Sequence, residues 1–150
     1  MHNDKQRTNT RIAVYLIGTR GKEVLLAKRK NTGHMDGCWS LVAGHVYEGE
    51  SSTDALLREA LEECGLTLKP DELQLMGAMH HCSPPYDYIN FIFKADLHAH
   101  APENKEEHKC EALAFHHIDA LPSPIEPYIR EIITQCMQHE VWVAEYGWPL

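Results

Sequence analysis

Residues 51–66, SSTDALLREALEECGL, commit the middle of the chain to one helix and leave the flanking apolar runs to make strands. Ser51 is a good N-cap, and Asp54, three residues later, suits a capping-box position near the positive end of a helix. Gly65 supplies a left-handed residue just past Cys64, after which Leu66 can close back on Leu61. The predicted helix therefore runs from about Ser52 to Cys64. Leu56, Leu57, Ala60, Leu61 and Cys64 share one arc of it, which is expected to pack on a sheet.

Glu59, Glu62 and Glu63 fall in a second arc, centred near Ala55. A solvated acidic face is one reading. Such faces usually interleave Lys or Arg at i,i+4, because like charges at that spacing repel. Glu59 and Glu63 are an i,i+4 like pair with Glu62 between them and no lysine to relieve them. A hard divalent cation, which prefers carboxylate oxygen, would offset that repulsion.

Around the helix the pattern changes to strands. RIAVYLIG (residues 11–18) and EVLLAKRK (residues 23–30) flank the turn GTRGK and predict a hairpin. NTGHMDG has loop chemistry, and WSLVAG (residues 39–44) reads as one short strand. ELQLMGAMHHC and YINFIFKADLHA are further strands about the turn SPPYD. Phe91 and Phe93 share a face and Ile92 takes the other, so this strand is expected to be covered on both sides. ALAFHHI reads as the last strand, after the polar loop HAPENKEEHKCE. Ile125, Ile129, Ile132, Ile133 and Cys136 or Met137 recur at helical spacing, with Pro127 in the first turn. The tail VWVAEYGWPL is expected to dock on the body or on a second subunit. Strands before and after a central helix, with a terminal helix, imply an α/β fold: a central mixed sheet with helices on both faces.

The 150 residues suit one domain, with residues 1–9 as a polar, loose arm lacking the apolar stretch of a signal peptide. No apolar run approaches a membrane span. The formal charge of -8, from 22 acidic and 14 basic residues, disfavours a long nucleic acid but leaves metal–nucleotide chemistry open. Five scattered cysteines without a C-x-x-C pair suggest reduced thiols and a cytoplasmic protein. Of the 11 histidines, His80 and His81 adjoin Cys82, and His98 and His100 alternate along a strand. Their spacing argues for surface or rim positions rather than a zinc site.

GHVYEGESSTDALLREALEECGL (residues 44–66) carries Gly44, Glu50, Arg58, Glu59, Glu62, Glu63 and Gly65 at the fixed positions of the Nudix hydrolase signature. Ala60 and Leu66 fill its apolar slots; Ala60 is smaller than the Leu, Ile or Val of the pattern. The chain thus resembles small MutT-like Nudix proteins, whose fold is an α/β/α sandwich. TGHMDGCWSLVAGHVYEGES looks like their upstream loop and strand, and EEHKCEALAFHHIDALP and EYGW resemble their C-terminal half more loosely. Where such relatives have Glu-Pro, this chain has Glu106-Glu107, so which glutamate is equivalent stays open.

The resemblance implies attack of metal-activated water on a diphosphate linkage, with Mg²⁺ as cofactor and Mn²⁺ as its substitute. Glu59, Glu62 and Glu63 would ligate metal, with a backbone carbonyl from Gly44 and a metal-bound water held by Glu50. Arg58 would orient a glutamate. Glu59 is the first choice of general base, with Glu106, Glu107 and Glu111 as rivals. Lys28 and Arg29 are candidates for meeting phosphate, and Tyr86, Tyr88 and Asn90 for meeting the base. A nucleoside triphosphate, intact or damaged, is the first substrate reading. ADP-ribose or another nucleoside-diphosphate derivative is the second, since SPPYD lies near a Ser-Pro-Gly of that subgroup. A non-catalytic nucleotide-binding module is the rival class, and no box glutamate is lost to favour it. A homodimer is common in the family, and Trp142 and Trp148, expected to be exposed, fit one as well as they fit packing on the monomer.

Overall fold

The computed structural model describes residues 5–149. Strands β1 (Arg11–Arg20), β2 (Glu23–Arg29), β3 (Trp39–Ser40) and β4 (Val42–His45) precede helix α1 (Ser52–Cys64). A short 3₁₀ turn, Pro70–Glu72, leads to β5 (Gln74–Ser83), β6 (Tyr86–Asp96), β7 (Cys110–His117), helix α2 (Pro127–Gln138) and β8 (Trp142–Tyr146). The strands form one eight-stranded mixed sheet in the order β3-β2-β1-β6-β5-β8, with β4 on β1 and β7 on β2.

β1 is central and apolar on both faces because both faces are covered. Ala13, Tyr15 and Ile17 pack with Ile92, Ile129, Ile132 and Trp142 on the α2 side. Val14 and Leu16 pack with Leu56, Ala60, Phe93 and Leu97 on the α1 side. The expected alternation of Phe91 and Phe93 against Ile92 is met by these two cores.

The hairpin of β1 and β2 is paired only at its turn, where Thr19 meets Val24 and Arg20 meets Glu23. Beyond it the strands part. β1 takes β4 as its partner, from Ala13↔His45 to Leu16↔Val42, and β2 takes β3 and β7. Residues 39–44, expected as one strand, are therefore two, broken at Leu41 because each half pairs with a different neighbour. The parting of β1 from β2 opens a cleft.

β7 is not the last strand. The tail forms β8, which adds in parallel to β5 from Gly77↔Trp142 to His81↔Tyr146. Trp142 is buried, against expectation, and its indole N–H points at Cys136 Sγ at 3.3 Å. Trp148 is 38% exposed and donates to the His80 carbonyl at 2.8 Å. The tail thus docks on its own chain.

α1 is bounded as its sequence dictates. Ser51 Oγ accepts from Asp54 N at 3.1 Å, and Gly65 takes φ 65°, with Gly65 N and Leu66 N closing on Leu61 O and Ala60 O. Its buried face differs from the expected one: Ala55, Leu56, Glu59, Ala60 and Cys64 are inside, while Leu61 is 53% exposed and Leu57 half-buried. The helix is rolled toward β4, which buries the foot of the glutamate arc at the expense of Leu61. α2 begins at Pro127 rather than Ile125, because Ile125 bridges to Trp39.

Part of the predicted arm, residues 1–4, lies outside the described residues. In the remainder, Thr8 and the adjoining Thr10 bind Asp87, at 3.0 and 2.6 Å, so the arm is pinned there. His98 and His100 fall beyond the end of β6 and pair with Asp96 and Glu72.

Candidate active site

The cleft holds about 740 Å³ and is floored by β1, β2 and residues 40–45, with α1 at one end and the start of α2 at the other. At the α1 end, Gly44 on β4 meets Glu59 so closely that a Cβ built on Gly44 would overlap the Glu59 carboxyl. Only glycine leaves that space. Glu59 is 8% exposed, and Glu63 beside it accepts from Ala43 N at 3.3 Å. Glu62 reaches outward, its side chain 51% exposed.

Arg58 organises this group. It grips Glu50 through two bonds, Nε to Oε2 at 2.8 Å and Nη2 to Oε1 at 3.0 Å. Nη1 lies 2.8 Å from Glu59 Oε1 and 3.4 Å from Glu62 Oε2, and Nη2 also donates to the His45 carbonyl at 3.0 Å. The guanidinium lies 4.2 Å from the centre of the Tyr47 ring. Glu50, expected near a metal-bound water, is thus engaged on Arg58, which keeps its carboxyl below the usual range.

The loop before β7 brings a further carboxylate. Glu103 N and Lys105 N donate to the Cys64 and Glu63 carbonyls at the end of α1, at 2.9 and 3.0 Å. Asn104 holds the turn by donating to Cys110 O and accepting from Glu106 N. Glu106 then lines the cleft facing Glu59 and Glu63, whereas Glu107 does not line it and Glu111 pairs with Lys28 at 3.4 Å. Burial, offset in part by Arg58, raises the Glu59 carboxyl above its ordinary range. Burial first, then the neighbouring Glu59 and Glu106, raises Glu63 further. Crowded, partly desolvated carboxyls of this kind favour either protons or a cation.

Among the described residues no three His, Cys, Asp or Glu side chains are already set around a common metal position. Arg58 stands among the acids instead. The donor set nevertheless fits a hard divalent ion: carboxylate oxygens of Glu59, Glu63, Glu62 and Glu106, and a backbone strand opened by Gly44.

Lys28, Arg29 and Tyr88 line the cleft as expected, and Lys109 joins them. Tyr88 stacks on His45, ring centres 5.8 Å apart. Tyr86 lines the cleft under the Arg11 guanidinium. Asn90 does not line it; it is 1% exposed, with Nδ2 3.5 Å from His81 Nδ1. Sequence reasoning missed Tyr15, Tyr128, His45 and His81 on the cleft wall, and Glu126 behind it. Tyr15 and Glu126 had a local signal, each being polar within an apolar run. The others are assembled only by the sheet.

A family model described as NUDIX domain matches residues 7–136. The NAD-capped RNA hydrolase NudC of Pseudomonas syringae pv. tomato is 33% identical over 122 residues, covering 80% of this chain and 41% of that protein. The ADP-ribose pyrophosphatase of Methanocaldococcus jannaschii is 34% identical over 86 residues, covering 57% of this chain and 50% of that protein. The chain therefore spans half or less of the length of either. A crystal structure of a MutT NUDIX hydrolase from Burkholderia pseudomallei superposes with a TM-score of 0.74 at 28% identity, over 85% of this chain and 98% of that one. With one mixed sheet between two helices and a domain match over most of its length, the chain belongs to the NUDIX family.

Proposed function

We propose that the protein is a metal-dependent pyrophosphohydrolase that cleaves a nucleoside triphosphate to the monophosphate and pyrophosphate. The observation that carries this reading is the convergence of Glu59, Glu63 and Glu106 at one end of a cleft whose other end is lined by Tyr15, Tyr88 and Tyr128. A nucleotide has the same two-ended character, charged at one end and planar and apolar at the other.

A bound divalent ion, held by Glu59, Glu62, Glu63 and the Gly44 carbonyl, would neutralise the departing phosphates and acidify water. Arg58 fixes Glu59 by the 2.8 Å contact, and Glu50 fixes Arg58 from behind. Glu59 takes the proton of the attacking water in this reading, and Glu106 is the rival base facing the same point. Lys28, Arg29 and Lys109 supply the positive lining that meets the phosphate chain. Tyr88, stacked on His45, offers a face to the base.

ADP-ribose is the second reading, favoured by two observations. Ser83, Pro84 and Pro85 line the cleft, and a relative named ADP-ribose pyrophosphatase matches over 57% of the chain. Catalytic efficiency measured across triphosphates, ADP-ribose, dinucleoside polyphosphates and capped RNA, with Mg²⁺ or Mn²⁺, decides between them. Triphosphates are expected to be preferred by about tenfold or more. A preference for ADP-ribose would transfer the assignment to the second reading, and nucleotide binding without turnover would make the protein a binding module.

A further inference from the structure

Between β6 and β7 the chain runs from residue 97 to 109 without a strand or helix, yet it sets one carboxylate against the acidic end of the cleft. Along this loop Pro102, Asn104 and Glu106 are half-buried, while Glu103, Lys105 and Glu107 are exposed. Glu106 thus faces inward toward Glu59 and Glu63, where like charge repels it. No ion pair among the described residues draws it there. Its place has to come from the backbone, and the backbone of Glu106 is fixed on both sides. The Glu106 carbonyl accepts from Lys109 N and Cys110 N, each at 2.8 Å. The Glu106 N–H donates to Asn104 Oδ1 at 3.1 Å.

We propose that Asn104 is the positioning residue for Glu106, a clamp that ties this carboxylate to helix α1 and so to the acidic end of the cleft. The inference rests on the hydrolase reading above only for what the carboxylate then does. Asn104 Oδ1 receives the N–H two residues on, a turn that short oxygen-bearing side chains make locally. Its Nδ2 donates across the same turn to the Cys110 carbonyl at 2.8 Å. Aspartate could make the first bond but has no donor for the second, and a serine hydroxyl would have to serve both from one atom. On either side of Asn104, Glu103 N and Lys105 N donate to the Cys64 and Glu63 carbonyls at 2.9 and 3.0 Å. The loop is thus fastened to the last turn of the helix that carries Glu59 and Glu63, and Asn104 passes that reference on to Glu106. Without its side chain the Glu106 N–H loses its partner and the turn loses its closure on β7. Repulsion then drives the carboxylate outward, and a displacement of about 1 Å in such a group can cost on the order of 100-fold in rate.

The test is a double-mutant cycle in the full chain, with Asn104→Ala, Glu106→Gln and the two combined. In Asn104→Ala, kcat for a nucleoside triphosphate with Mg²⁺ is expected to fall about tenfold or more while KM stays within about twofold. Glu106→Gln should lose as much or more. The combined variant should match Glu106→Gln within about twofold, since the clamp has nothing to position once the carboxylate is gone. Lys105→Ala removes an exposed side chain from the same loop, leaves its N–H bond intact, and should stay within about twofold of the wild type. Binding of Mn²⁺ without nucleotide, followed by calorimetry, gives a second cycle that needs no turnover. Each single variant should weaken it about threefold or more, and the combined variant no further. A wild type without turnover but with this Mn²⁺ pattern would sink the hydrolase reading and leave the inference standing. Losses that multiply in the combined variant, kcat of Asn104→Ala within about twofold of the wild type, an equal loss in Lys105→Ala, or Mn²⁺ affinity indifferent to both single variants would overturn it.

Discussion

Gly44 and Glu59 come from separate elements yet occupy each other's space, and that contact sets the tolerance of the site. A methyl group at Gly44 has nowhere to go except into the Glu59 carboxyl. Gly44→Ala is expected to lower kcat/KM on the order of 100-fold by displacing Glu59, with a loss of only about 1 kcal/mol in unfolding free energy, since the carboxyl can swing away. Steady-state kinetics alongside urea denaturation checks both halves. His81 gives a second expectation at this scale. Enclosed between Tyr128 and Tyr146, it has its imidazole pKa lowered by burial and then by His34. A depressed pKa means that the folded state binds the proton more weakly than the unfolded one. The stability His81 contributes is present above its ordinary value of 6.5 and is lost as pH falls through the depressed one. The wild-type Tm should fall between about pH 7 and pH 5, and His81→Gln should flatten that fall. An unchanged slope would show that His81 is not the group responsible.

Elements were legible where their signals are local. Ser51 and Gly65 mark the ends of α1, and its carboxylates are named by the same stretch. β8 was not legible, because VWVAEY has no turn partner beside it and earns its place only by pairing with β5 from across the chain. The break at Leu41 was hidden for the same reason: a strand shared between two neighbours looks continuous in sequence. The roll of α1 was hidden too, because hydrophobicity placed Leu61 inside, while the fit of Glu59 under Gly44 turned it out. Leu61→Lys should therefore change stability by no more than about 0.5 kcal/mol, whereas Leu56→Ala, fully enclosed, should cost about 2–5 kcal/mol. Similar losses for the two would contradict the observed roll.

At the scale of the whole molecule, the cleft is a consequence of topology. β1 and β2 separate after a short turn, the α1 carboxylates close one end of the gap, and α2 with Tyr128 closes the other. The charged end could be foreseen because its residues are contiguous in sequence. Of the planar end only Tyr88 was expected on the cleft, since Tyr15, His81 and Tyr128 come to it from three other elements. Negative charge concentrated on α1 is the feature this architecture has to accommodate, and a phosphoanhydride-cleaving metal site is the use proposed for it. Following a nucleoside triphosphate by ³¹P NMR, with Mg²⁺ and then with chelator, tests that most directly. Pyrophosphate and monophosphate signals should grow only with the ion and vanish in folded Glu59→Gln; unaltered turnover in that variant or under chelation would contradict the account.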